Sequence, residues 1–265
     1  MRTERQLSSK SEKASGEVTT VQRALDLLKV VGASEKPIGV NEIARRLGKH
    51  ASAVSRTLAT LEHNGYVQRD DETGRFGLGI ELIALASKHL ADLDVVRVTR
   101  PYLEQLAESA GETSSLSLWH KTEAINIEQA LGPGSIKHIA APGRHNPAHC
   151  TATGKAILSY MPVPILKEVL SLGLQSYTSR TITDPVALET ELRNVLERGY
   201  AVSDGEFILE VASIAAAIFD RRGMPTAAIA VSMPVFHFNE ETERRVAPLV
   251  VEAAAAISRR LGYVG

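Results

Sequence analysis

Residues 40–79 read VNEIARRLGKHASAVSRTLATLEHNGYVQRDDETGRFGLG, and their spacing decides the fold of the N-terminal third. Ile43, Ala44 and Leu47 recur at helical spacing, with Asn41 placed to cap a short helix. Gly48 supplies a turn. A second helix is predicted from about Ser52 to His63, with Val54, Leu58 and Leu61 facing inward and Asn64-Gly65 closing it. Two short helices joined by a tight glycine turn make a helix-turn-helix. The following YVQRDDETGRFGLG alternates around a polar tip, Asp71-Glu72-Thr73-Gly74, as a β-hairpin does. Helix-turn-helix plus hairpin is a winged helix.

Working outward, TTVQRALDLLKVVGAS places Val21, Leu25, Leu28 and Val31 on one helical stripe, with Thr19 or Thr20 as cap and Gly32 as stop. Outward positions of the second motif helix include Ser52, Ser55, Arg56 and Thr60. A guanidinium among small hydroxyls suits a major-groove surface, because arginine reads guanine edges or phosphate and hydroxyls serve either. Arg75 sits beside the hairpin tip, within reach of a minor groove or a phosphate. Scattered arginines are solvated groups on many small helical domains. The ordered series of helix, helix, glycine turn, helix and hairpin outweighs that bland reading.

The whole chain has 265 residues, enough for one large domain or two modest ones, and 44% of them are hydrophobic. Residues 1–78 hold 13 Lys/Arg against 10 Asp/Glu, leaving 17 against 21 from the chain's totals of 30 and 31. That asymmetry points the N-terminal part toward polyanions. The single cysteine excludes an intramolecular disulfide and fits a reducing cytoplasm, the expected location. No apolar run approaches the roughly 18 residues of a membrane span. Residues 1–17, polar and poor in aromatics, are expected to be a disordered tail rather than a signal peptide.

Beyond the wing, GIELIALASKHLADLD is helical by pattern, with Ile80, Ile83, Ala84 and Leu90 on one side. Another helix is predicted over about 95–110, ended by Gly111, with Pro101 bending it or marking an irregular turn. TSSLSLWH and EAINIEQAL read as strands around a Lys121-Thr122 turn, and SIKHIAA as a third. Helices follow at about 153–160, 163–172 and 185–198, the last with Asp184 as cap and Pro185 at its first position. EVASIAAAIFD and TAAIAVSMP are strands joined at Arg221-Arg222-Gly223, and a final helix spans about 239–261. Paired strands, helices, paired strands and a helix make an α+β domain with a largely antiparallel sheet.

Seven segments, VQRALDLL, EIARRLG, RTLATLEHNGYVQRDDETGRFGLG, RPYLEQLAESAGET, TATGKAIL, TITDPVALETEL and RGYAVSDGE, resemble in order and spacing the IclR family of bacterial transcription regulators. The resemblance covers nearly the whole chain. It implies a winged helix-turn-helix over 18–79, a linker helix over 80–94 and a GAF-like effector-binding domain over 95–265. It further implies a homodimer or tetramer on a palindromic double-stranded DNA operator, a small-molecule effector, no cofactor and no enzymatic activity. The DNA-reading residues it suggests are Asn41, Lys49, His50, Ser52, Ser55, Arg56 and Arg75. Lys49-His50-Ala51-Ser52-Ala53 departs from the family's usual Leu-Pro-Lys-Ser-Thr, moving positive charge earlier into the turn.

The stretch 145–156, HNPAHCTATGKA, offers several chemistries. A phosphate loop needs G-x-x-x-x-G-K-[ST], but His149 stands where its first glycine belongs and Ala156 where its hydroxyl belongs. Cys150 as a nucleophile has only its immediate neighbour His149 as base, and a lone cysteine is more often a small buried hydrophobe. His145, His149 and Cys150, with His138 upstream, are acceptable zinc ligands and leave a metal-responsive regulator as the alternative, although the spacing matches no zinc motif and Pro147 interrupts it. The remaining reading is a loop running into a helix start, where free N–H groups favour anions. By resemblance, Pro147–Lys155 forms one wall of the effector pocket, with His149, Cys150, Thr151 and Gly154 as its candidate residues. Asp204, Ser213 and Ser232 come from the opposite walls. Hydroxyls, one carboxylate and an apolar floor suit a small polar or carboxylated metabolite. Ser213 replaces a common cysteine and Ala217 a common proline; Glu210, at a common glycine position, is expected to crowd the pocket or add negative charge.

Overall fold

The apolar stripes of residues 19–78 close on each other in a computed structural model that describes residues 19–34, 36–139 and 141–265, with the side chains of 87–92 left aside. The tail expected over 1–17 lies outside the described residues. Helix α1 (Thr19–Gly32), α2 (Val40–Leu47) and α3 (Ala51–His63) surround a core of Leu27, Val31, Ile43, Ala44, Val54 and Leu58. Leu27 takes the inward place expected of Leu25, and Val21 and Leu25 are exposed. Asn41 is not a cap: α2 begins one residue earlier, behind Gly39, because Val40 already belongs to its first turn. Gly48, at φ 61, ends α2 in the left-handed region that favours glycine and returns the chain into α3.

Strands β1 (Val67–Arg69) and β2 (Phe76–Leu78) pair antiparallel, and Ile38 bridges Phe76 as a third edge. Asp70 accepts hydrogen bonds from Thr73 N at 2.7 Å and Thr73 Oγ1 at 2.6 Å, and Gly74 takes φ 64, so the tip is a side-chain-stapled turn. Helix α4 (Ile80–Asp92) follows. The chain divides into two compact units between Leu90 and Ala91.

In the second unit α5 (Asp94–Ala110) is unbroken at Pro101 and stops at Gly111, φ 75. Strands β3 (Thr113–His120), β4 (Glu123–Ala130), β5 (His145–Pro147), β6 (Ala201–Asp204), β7 (Val211–Phe219) and β8 (Pro225–Pro234) form one antiparallel sheet ordered β5-β4-β3-β8-β7-β6. Of the strand expected over 135–141, residues 135–139 and 141 are instead irregular; the three-residue edge β5 takes its place, paired Glu123 to Pro147 and Ile125 to His145. An edge tolerates Pro147, which has no N–H to donate.

Helices α6 (Ala152–Leu158), α7 (Val163–Ser171) and α8 (Pro185–Arg198) precede β6, and α9 (Glu240–Arg260) closes the chain. Asp184 caps α8 and Asn239 caps α9, each through a side-chain oxygen accepting a backbone N–H.

Strand periodicity sorts this unit into layers. Ala212, Ile214, Ala216 and Ile218 of β7, with Ala227, Ile229, Val231 and Met233 of β8, pack with α5 and α9 into the main core. The alternate residues face α6, and they are small: Ala215, Ala228 and Ala230 are in that second core. Small side chains on this face leave space above the sheet.

Candidate functional site

On α3 of the first unit, Ser52, Ser55 and Arg56 are exposed at helical spacing, opposite buried Val54 and Leu58. Arg56 has no ion-pair partner within 4 Å among the described residues. Lys49 and His50 are exposed in the preceding turn and line one surface groove with Arg23. Asn41 and Arg75 line another, with Lys36 and Arg46. Arg75 leans back from the hairpin tip, its Nη1 3.5 Å from Pro37 O. Arg45 and Arg46 both engage Glu42, at 2.7 and 2.8 Å, and hold its carboxyl down at about 2. Those two cations are thereby partly neutralised, unlike Arg56.

In the second unit a cavity of about 60 Å3 opens above the small-residue face of the sheet. Ser115, Ser213, Ala230 and Ser232 form its floor. Register places them there, because Ser115 lies opposite Ala230 and Ser213 opposite Ser232. The Ser213 and Ser232 hydroxyls are 2.9 Å apart. Thr151, Ala152 and Thr153 at the start of α6 make one wall, and Phe207, Ile208 and Val211 another. Asn126, His138, Arg144 and Asn146 complete the rim. Burial pushes the His138 imidazole below its ordinary value, and the neighbouring Arg144 charge adds to that.

The local chain explains how this wall is held. Thr151 Oγ1 donates to Pro147 O at 2.8 Å and accepts from Gly154 N at 3.1 Å, so one hydroxyl ties loop to helix. Gly154 packs against the loop backbone, where a Cβ would lie 2.6 Å from Ala148 Cα. Ser203 donates to Cys150 O at 3.2 Å, binding the loop to β6.

A model of the IclR helix-turn-helix domain matches residues 20–71, and a model of the bacterial transcriptional regulator IclR C-terminal matches residues 87–259. The chain belongs to the IclR family of bacterial transcription regulators. It is similar to the glycerol operon regulatory protein of Streptomyces coelicolor, 32% identical over 247 residues covering 92% of this chain and 97% of that one. The transcriptional repressor IclR of Escherichia coli K12 is 29% identical over 252 residues, covering 94% and 92%. Among solved structures, an IclR regulator from Alicyclobacillus acidocaldarius superposes with a TM-score of 0.81 at 30% identity, covering 93% of this chain and all of that one.

Within this IclR-family protein, the cavity brings together Thr151, Ser213 and Ser232 of the seven residues the sequence singles out. His149 is buried beside it but not on its surface. Its Nε2 donates to Gln175 O at 2.9 Å, and burial lowers its pKa. Cys150 is wholly buried, and burial, with Glu206 near, pushes its thiol up to about 12; such a group is neither a nucleophile nor a ready ligand. Gly154 is a packing residue, and Asp204 points to Arg180 at 2.8 Å. Glu210 is exposed, with its carbonyl accepting from Val235 N, and neither crowds the cavity nor charges it.

The metal-responsive alternative loses its ligands. His145 pairs with Glu123 at 2.6 Å, His149 and Cys150 are committed as described, and no group of three metal-ligating side chains occurs among the described residues. Lys155 is buried with its Nζ 2.6 Å from Glu206 Oε1.

Sequence reading named His138 only as a metal-ligand candidate, and it missed Arg144, Asn126 and Asn146, together with Phe207 and Ile208. The alternation of β3 and β4 could have found Ser115 and Asn126. Nothing periodic marks the irregular segment that carries His138 and Arg144.

Proposed function

We propose that this protein binds a palindromic double-stranded DNA operator as a homo-oligomer, and that a small metabolite in the cavity of its second unit changes that binding. One observation carries the reading: the same chain holds an exposed recognition-type helix with an uncompensated Arg56 and a hydroxyl-lined cavity above the sheet of its second unit. Ser52, Ser55 and Arg56 are assigned to base edges and phosphate, and Asn41, Lys49, His50 and Arg75 to flanking contacts. The apolar residues Ile80, Ile83 and Leu85 of α4 are 57–70% exposed, which supports burial against a second copy of the chain.

Ligand binding acts by population shift. A metabolite that prefers one quaternary arrangement changes the separation of the two recognition helices and therefore the half-site spacing they fit. Coupling of this kind is typically about 1–3 kcal/mol, or roughly 5–150-fold in affinity. The names of its relatives support control of an operon; we assign this chain to a catabolic operon adjoining its own gene.

The test begins with the intergenic DNA beside that gene in a fluorescence-anisotropy titration, with footprinting to find the protected half-sites. Saturable binding to two inverted half-sites, weakened steeply by salt, is expected because phosphate contacts release counterions. Pathway metabolites of the adjoining genes should then shift the curve. Binding indifferent to DNA sequence, or an operator affinity that no metabolite changes, overturns the proposal.

A further inference from the structure

Beyond residue 78 acidic side chains outnumber basic ones, yet one end of the second unit is basic. Helix α5 leads through Gly111 and Glu112 into β3, so α5 starts at the far end of the sheet. There β3 turns into β4, β7 turns into β8 and α9 stops, and there the chain enters the second unit. Lys121 stands in the first turn, Arg221 and Arg222 in the second, and Arg259 and Arg260 in the last turn of α9. All five are exposed, and among the described residues none has a carboxylate within 4 Å or a side-chain hydrogen bond. Three carboxylates at this end are engaged: Asp94 with Arg97 and Glu123 with His145, each at 2.6 Å, and Asp220 with the N–H groups of Arg222 and Met224. The opposite end carries Glu108, Glu210, Glu240 and Glu241, all exposed.

The four arginines make one patch because the elements that carry them are locked together. Phe219 stacks on Tyr263, with ring centres 5.0 Å apart and planes 23° from parallel, and its N–H donates to Ser258 Oγ at 3.0 Å. Gly262, just past α9, passes so close to the β7–β8 turn that a Cβ there would lie 3.3 Å from Arg221 Cβ. Two strand spacings separate this turn from Lys121, roughly 10 Å. Arg259 and Arg260 complement the negative end of the α9 dipole, which accounts for two of the charges and not for the other three. Like charges gathered in this way repel one another, and a polyanion relieves that repulsion.

We infer that this basic end of the second unit is an additional DNA-binding surface, which grips phosphates outside the bases read by α3 and has no sequence preference of its own. The inference rests on the reading of the chain as an operator-binding regulator and adds a contact from its other unit. Arginine forks onto phosphate through paired, charge-assisted N–H donors. DNA held by the first unit meets this surface at high effective concentration, because one chain joins the two units. A contact too weak to act alone thereby strengthens operator binding.

The full-length protein is titrated at three salt concentrations with the intergenic operator fragment and with scrambled DNA of the same length. The fourfold variant Arg221→Gln, Arg222→Gln, Arg259→Gln, Arg260→Gln should weaken both DNAs by about 10–100-fold near 0.1 M salt. It should lower the slope of log affinity against log salt by about 2–3. Hydroxyl-radical protection should disappear at backbone positions outside the half-sites and persist within them. The pair Arg221→Gln, Arg222→Gln should give about half the slope change. Lysine at all four positions should retain most of the slope, since counterion release follows charge. Arg244→Gln, at the acidic end, should alter neither slope nor footprint, and no variant should change the melting temperature or the sedimentation coefficient.

An unchanged slope and footprint in the fourfold variant overturns the inference. If that variant instead loses binding of poly-L-glutamate, the patch serves an acidic protein. A lowered sedimentation coefficient makes it an interface between copies of the chain and overturns the inference as well. Failure of the underlying reading looks different: the parent protein then prefers no DNA sequence, while the slope lost in the variant still reports the phosphate surface. A parent protein that binds no DNA at all removes both.

Discussion

Lys155 Nζ donates to Glu206 Oε1 at 2.6 Å in the protein interior, joining α6 to the loop that carries Phe207 and Ile208 over the cavity. Glu191 approaches the same ammonium at 3.8 Å and is itself paired with Arg198 at 2.7 Å. Glu206 Oε2 finds no hydrogen-bond partner among the described residues. Burial pushes the Glu206 carboxyl up while Lys155 pulls it down, so the pair is retained at a cost in desolvation. Thr178 Oγ1 and Thr181 Oγ1 each donate at 2.6 Å to the backbone carbonyls of Gly205 and Glu206, which fixes the loop independently.

Removing one partner should therefore hurt more than removing both. Lys155→Met is expected to destabilise the second unit by about 3–5 kcal/mol, because it strands a buried carboxylate. The double variant Lys155→Met, Glu206→Leu should recover most of that loss. Denaturant unfolding of the single and double variants measures the difference; equal losses for both would show that the pair matters only through packing.

Gly154 gives a steric prediction. Its Cβ position lies 2.6 Å from Ala148 Cα and 2.8 Å from Pro147 O, both backbone atoms that cannot swing aside. Alanine in a helix normally gains roughly 1 kcal/mol over glycine. Here overpacking should win, and Gly154→Ala should cost about 1–3 kcal/mol net. A melting temperature equal to or above that of the parent protein would contradict the close approach of α6 to the loop.

The same region shows what a sequence discloses. The glycine turn at Gly48, the cap Asp184 and the stop at Gly111 are local, and local spacing reveals them. Thr151, Ser213 and Ser232 reach the cavity from a loop end and two alternating strands, so pattern and family resemblance together find them. His149 and Cys150 mislead because chemical richness says nothing of direction: one is turned to Gln175 O and the other into the core. Arg144 and the cavity place of His138 escape because their segment has no period; at Arg144 the backbone hydrogen bonds between Asn126 and residues 143–144 hold it beside β4.

Two histidines, buried His149 and half-buried His138, set a pH dependence. Burial lowers the folded-state pKa of both His138 and His149; Arg144 and Lys155 respectively add to it, and a hydrogen bond to Gln175 O opposes it at His149. In the unfolded chain both titrate near about 6.5. Below that value the unfolded state binds more protons than the folded one, so stability rises with pH across the window and is lost as pH falls. The melting temperature should hold from about pH 8 to 7 and decline from about 6.5 toward 5, before most carboxylates titrate. His149→Gln should flatten part of that decline. A stability that rises on acidification through this range would show that the imidazoles are charged in the folded protein.

Arg56 tests the first unit. It stands exposed on α3 between Ser52, Ser55 and Thr60, with no acidic partner among the described residues, whereas Arg45 and Arg46 share Glu42. Removing an uncompensated guanidinium from a DNA surface should cost about 1–3 kcal/mol of operator affinity, and Arg45→Ala should cost less. The salt slope discriminates the type of contact. If Arg56 meets a phosphate, Arg56→Ala lowers the slope of log affinity against log salt by about one and weakens every sequence alike. If it reads a guanine edge, the slope changes little and discrimination is relaxed at one base pair in each half-site. Titrations against the operator and against scrambled DNA at three salt concentrations separate the two. An Arg56→Ala protein with unaltered affinity for both would remove α3 from the DNA interface.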